Sequence, residues 1–99
     1  MKVFAVIRTR GDAWQSDRRL EEQPEWDAHA SFMNGLFKQG SVLLGGPLEE
    51  SSDVLLIFRA NAPEEIRKCL DEDPWTRSGL LRISRISPWT LRLGSLHSA

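Results

Sequence analysis

The sequence predicts an α+β fold of the ferredoxin-like type, βαββαβ, with an antiparallel sheet and two helices on one face. Three observations predict it. Apolar segments of strand length stand at 2–10, 41–50, 54–60 and 80–93, rich in Val, Ile, Leu and Phe. Two stretches, 24–40 and 61–72, carry apolar residues at helical spacing. The helical stretches fall after the first and third apolar segments, so the element order is that of a split βαβ unit.

Each element follows from its residues. KVFAVIRTR (2–10) reads as the first strand. GDAWQSDRRLEEQ (11–23) has no period and much charge, and reads as a long loop, a feature that compact domains keep chiefly for function. Pro24 suits the first turn of the following helix, where its missing N–H is not needed, and Glu25 and Asp27 place negative charge at the positive end of the helix dipole. Gly40 caps the other end. SVLLGGPLEE and VLLIFRA form a hairpin across the turn SSD. Asn61 is the expected N-cap of the second helix, with Pro63 in its first turn and Ile66, Cys69 and Leu70 on one face. DPWTRSG reads as a turn. The last strand, 80–93, is interrupted at Pro88, as an edge strand or bulge allows. GSLHSA, residues 94–99, is a polar tail.

At 99 residues the chain is one domain, 1–99, with a single small core. A net charge of −1 supplies no basic surplus for a phosphate backbone, so no nucleic acid partner is expected. No apolar run reaches the length of a membrane span or of a secretory signal core. The lone Cys69 excludes an internal disulfide and a Cys-rich metal site. These features together predict a cytoplasmic protein without membrane attachment. VFAVI and VLLIF are apolar at successive positions, so both faces of the sheet are apolar. Two helices cover one face only. A second copy, most simply a two-fold homodimer, is expected to cover the other.

His29 is the candidate reactive group. On a helical wheel with Trp26 at zero it falls near about 300°, inside the arc of Ala30, Met33, Leu36 and Phe37, while Asp27, Ser31, Asn34 and Lys38 lie opposite. It therefore faces the interior. An imidazole buried without a partner costs roughly 1–3 kcal/mol, so it needs one. A core histidine bonded to a backbone carbonyl would meet that need. Without a second His or Cys cluster, no metal site is expected. A carboxylate is the other option. Asp27 lies only two positions away on the polar side; Asp73, in a turn leading to the last strand, is free to turn inward. Spacing alone does not choose between them.

Four Trp and no Tyr is unusual for this length. Trp14, Trp26, Trp75 and Trp89 either pack the core or line an aromatic pocket for a small molecule. Three of the four sit on or beside irregular segments, which favours the pocket. Arg8 and Arg10 close the first strand, where they hold an anion near that pocket or lie solvated at the strand end. GGP (45–47) lacks the spacing and following helix of a phosphate loop and reads as a bend. Cys69, on an apolar helix face without a basic neighbour, reads as a small hydrophobe.

Five stretches in this order, MKVFAVIRTRG, EWDAHASFM, LLGGPL, DPWTRSGL and PWTLRLG, make the chain resemble the YCII-related (YciI-like) family over nearly its whole length. The joint signature is a helical His followed by GGP and then DPW. The resemblance implies the fold of the dimeric α+β barrel proteins. It also implies that His29 and Asp73 form an active-site pair. Pro47 of GGP is counted with Arg8 and the four tryptophans among the expected ligand-binding residues. One relative in that family is a dehydrochlorinase of chloroaromatic breakdown, and barrel relatives include muconolactone isomerase and cofactor-free monooxygenases. The expected activity is therefore that of a lyase or isomerase without a cofactor, using His29 as general acid or base on a small cyclic or aromatic molecule. The alternative is a small-molecule-binding or regulatory module in which His29 and Asp73 are a structural pair.

Overall fold

The computed structural model describes residues 1–95. Four strands, β1 (Lys2–Arg10), β2 (Val42–Pro47), β3 (Asp53–Ala60) and β4 (Leu81–Pro88), form one antiparallel sheet in the order β2-β3-β1-β4. Helices α1 (Trp26–Lys38) and α2 (Pro63–Leu70) lie on one face, as expected. The fold is the ferredoxin-like one that the element order predicts. No helix among the described residues is long and apolar enough to cross a membrane.

Strand alternation explains where the core sits. Phe4, Val6 and Arg8 are buried, whereas Ala5 and Ile7 between them, and Val3 before them, are only half-buried. Phe4 faces Phe58 and Val6 faces Leu56 across β1 and β3. Leu36 of α1 and Ile66 and Leu70 of α2 close over this row. Burying each such side chain contributes about 1.5–3 kcal/mol. The opposite face carries Ala5 against Ile57 and Ile7 against Leu55. Two bulges bend the sheet. Leu43 is the extra residue of β2 and Ser84 that of β4, opposite Ile7 and Arg8.

Several boundaries differ from expectation. The 11–23 segment is not wholly irregular: Leu20–Glu22 make a 3₁₀ turn, and the buried Gln23 ties the segment together. Its Nε2 donates to the carbonyls of Gln15 (2.7 Å) and Arg18 (3.1 Å), and its Oε1 accepts the Gln15 N–H (3.0 Å). α1 starts at Trp26, not Pro24, because Glu25 takes a left-handed conformation (φ 60°) that no helix continues. Its far end matches expectation. Gly40, at φ 85°, lets its own N–H and that of Ser41 reach the carbonyls of Phe37 and Leu36, a Schellman closure. The N-cap of α2 is Ala62, and the Asn61 N–H is taken by the Glu65 carboxylate instead. The DPWTR turn contains a short helix, α3 (Pro74–Arg77). β4 ends at Pro88, where the expected strand ran on to 93. Residues 96–99 of the predicted tail, including His97, lie outside the described residues.

Gly11 shows why the long loop leaves β1 where it does. A Cβ there would stand 2.1 Å from the Gly79 carbonyl oxygen. Only glycine permits the bonds from Gly11 and Ala13 N–H to the carbonyls of Leu80 (2.9 Å) and Gly79 (3.2 Å). These pin both loop and α3 to the same end of the sheet.

Candidate active site

Asp73 is the centre of the site. It is the N-cap of α3, with no solvent exposure, and its Oδ1 accepts the Trp75 N–H at 3.0 Å. The His29 Nδ1 lies 2.9 Å from both carboxylate oxygens. Arg8 Nη1 donates to Oδ2 at 2.8 Å, and Nη2 donates to Thr76 Oγ1 at 2.7 Å. Burial pushes the Asp73 carboxyl up, but hydrogen bonds from His29, the Trp75 amide and Arg8 outweigh it and hold the group below its ordinary value. Asp73 is thus an ionised, fully engaged carboxylate. Facing such an acceptor, the His29 Nδ1–H donates to the carboxylate, and Nε2 is the ring nitrogen that Asp73 does not hold.

Trp75 fixes the imidazole plane. The two rings stack at 3.8 Å between centroids and 5° between planes. The Trp75 ring is itself held by its Nε1–H, which donates to the Pro24 carbonyl at 2.7 Å. Trp14 meets it edge-on at 5.6 Å, and Trp26 meets it tilted by 47° at 5.8 Å. The Arg10 guanidinium covers the Trp14 ring at 4.5 Å.

Beside this cluster is a cavity of about 490 Å³, large enough for a small cyclic molecule. His29, Arg8 and Arg10 meet it, with Trp14, Trp26 and Trp75 as aromatic wall. Met33 and Phe37 of α1 and the β2 segment Val42–Pro47 form the other side. Of the residues expected at the site, His29, Asp73, Trp14, Trp26, Trp75, Arg8 and Pro47 therefore come together. Trp89 does not. It follows β4, is 45 % exposed and lies outside the lining.

Arg8 is also not the solvated strand-end charge of one sequence reading. It is only 1 % exposed, two residues inside β1. Thr76 and Gln23 carried no sequence signal at all. Phe37 was placed in the apolar arc but is 62 % exposed and lines the cavity, while its neighbour Leu36 takes the place in the core. At Cys69, burial and then Glu65 and Glu72 push the thiol up, which keeps it out of nucleophile chemistry.

On one ferredoxin-like α+β domain, then, His29 stands on the wall of an aromatic cavity and is backed by the buried Asp73 carboxylate. Residues 1–90 match the YCII-related domain, and the chain belongs to that family. Among solved structures it is similar to 5-chloro-2-hydroxyhydroquinone dehydrochlorinase from Burkholderia phenoliruptrix AC1100, in complex with 2,5-dihydroxybenzoquinone. The match has 20% identity, a TM-score of 0.55, and covers 93% of this chain and 95% of that one. At that identity the likeness speaks for the fold. No curated protein sequence matches.

Proposed function

We propose that the protein is a cofactor-independent enzyme of the lyase or isomerase type, acting on a small cyclic or aromatic compound. His29 is its general acid/base, and Asp73 orients the imidazole and balances the charge it gains. The observation that supports this most is His29 on the wall of the 490 Å³ cavity with its Nδ1 held at 2.9 Å by the buried Asp73 behind it. Trp14 and Trp26 offer apolar surface to a ring, with Trp75 buried against His29 behind them, while Arg8 and Pro47 border it. Dehydrochlorination, the reaction of the structural neighbour, suits such a site. Ketonisation of the quinol first puts a proton on the ring carbon that bears chlorine; Nε2 then takes a hydroxyl proton, the O–H pair forms the quinone C=O through the ring, and chloride leaves with the C–Cl pair, so the loss of HCl needs no external oxidant.

The test uses 5-chloro-2-hydroxyhydroquinone as probe, with chloride release measured for wild type and His29→Gln. We expect His29→Gln to lose roughly 10²–10⁴-fold in turnover. Turnover equal to wild type sinks the assignment. A wild-type protein that binds quinols without turning any over supports the binding-module alternative, in which the pair is structural.

The protein is further proposed to be a homodimer working in the cytoplasm, where its single thiol stays reduced. Half-buried Ala5, Ile7 and Leu55 on the helix-free sheet face support the dimer. Light scattering is expected to give twice 11.3 kDa, and Ile7→Glu to give a folded monomer. A stable wild-type monomer overturns the dimer.

A further inference from the structure

We propose that Arg8 is a positioning residue that keeps His29 a neutral base by supplying the countercharge of Asp73. The inference rests on the reading of His29 as the proton-transfer group. Arg8 stays charged at every working pH and donates to Asp73 Oδ2 at 2.8 Å with both side chains out of solvent. Arg8 and Asp73 therefore sum to zero before His29 is counted. An imidazolium would add an uncompensated charge to a buried cluster, which a low-dielectric site resists.

The other charges around the ring do not reverse this. Arg10, beyond Trp14, is also positive and lines the same cavity. His29 sits in the N-terminal part of α1, where the helix dipole disfavours a cation. Asp53 is at the start of β3, and Glu25 and Asp27 are exposed to water. With Nδ1–H given to Asp73, the Nε2 lone pair remains for a substrate proton. Once that proton arrives, Asp73 is already in place to face the new charge.

Arg8 is a poor choice for stability alone. Its Nε is buried with no partner, and a buried ion pair often adds no more than apolar residues of the same volume. Its position matters through Asp73. Without the guanidinium, the buried carboxylate must draw its countercharge from His29. The ring then holds both protons and has no lone pair for a base.

The test reads the ¹⁵N resonances of the His29 ring at neutral pH. A His97→Asn background leaves His29 as the single histidine. The wild type and Arg8→Lys are expected to show one protonated nitrogen, Nδ1, and one bare nitrogen, Nε2. Arg8→Met is expected to show both nitrogens protonated at the same pH. A doubly protonated ring in the wild type overturns the proposal, as does an Arg8→Met ring indistinguishable from wild type. An Arg8→Met chain that no longer folds while Arg8→Lys does would assign the charge to the fold and overturn it equally. The spectrum needs no substrate. A failed dehydrochlorination assay therefore leaves this inference standing, and a protonated wild-type ring refutes it without touching turnover.

Discussion

Replacing Asp73 by Ala is expected to lower stability by about 3–5 kcal/mol, the cost of leaving a buried charge without its partner. For a domain of this size, whose whole stability is about 5–15 kcal/mol, that is about a fifth or more. The reason lies in what cannot adjust. Arg8 does not lose its proton and stays buried, with Thr76 as its one remaining acceptor. The variant also removes the cap that accepts the Trp75 N–H. Urea unfolding at pH 7 measures the change, and the melting temperature should fall by roughly 12–40 °C. Asp73→Asn keeps an acceptor for Trp75 but still strands Arg8. Adding Arg8→Met to Asp73→Asn should therefore recover part of the loss, and a strictly additive double variant would refute the coupling.

The same group sets the acid side of the stability curve. The folded-state pKa of Asp73 lies below its unfolded value, so the unfolded chain binds the proton more readily. Its contribution is then fully present above the unfolded carboxylate range, near about pH 4, and is lost as pH falls through the folded value. The gap between wild type and Asp73→Ala should be constant from about pH 5 to 8 and shrink below about pH 4. A gap that instead widened on acidification would mean that the pairing with Arg8 and His29 does not hold in solution.

How much of this was legible depends on the period of each signal. The strands, both main helices and the inward turn of His29 follow from apolar spacing, which is local. The Gly40 closure follows from the one residue type that takes φ 85° without strain. Arg8 shows a signal present but not used. Phe4, Val6 and Arg8 alternate along one strand, and that parity alone places Arg8 on the helix-covered face. Pairing with Asp73 was not legible, because the two stand 65 positions apart and local spacing says nothing at that range. The start of α1 misled for another reason. Pro24 fits a first helical turn locally, but its carbonyl is committed to Trp75, and the chain turns left-handed at Glu25 to allow it. Trp89 shared a residue type with the three cavity tryptophans, yet type says nothing of which side of the sheet end a residue leaves from.

Trp75→Ala is the second change with a large expected effect, about 3–5 kcal/mol, because a fully buried indole is replaced by a cavity. Three losses add to the void. The Pro24 carbonyl loses its donor, Trp14 and Trp26 lose the ring they pack on, and the His29 imidazole loses its stacking surface. Trp75→Phe separates these. It keeps an aromatic ring beneath His29 but leaves the Pro24 carbonyl unmatched, so about 1–3 kcal/mol should go and most of the stacking remain. Thermal unfolding measures the first part, and turnover of the folded Phe variant measures the second. If the stack is what holds His29 in plane, the Phe variant stays within a few-fold of wild type in turnover. Meanwhile Trp75→Ala, assayed below its melting point, falls well beyond that. Equal turnover in the two variants would mean that Asp73 alone orients the imidazole and that Trp75 serves the cavity wall.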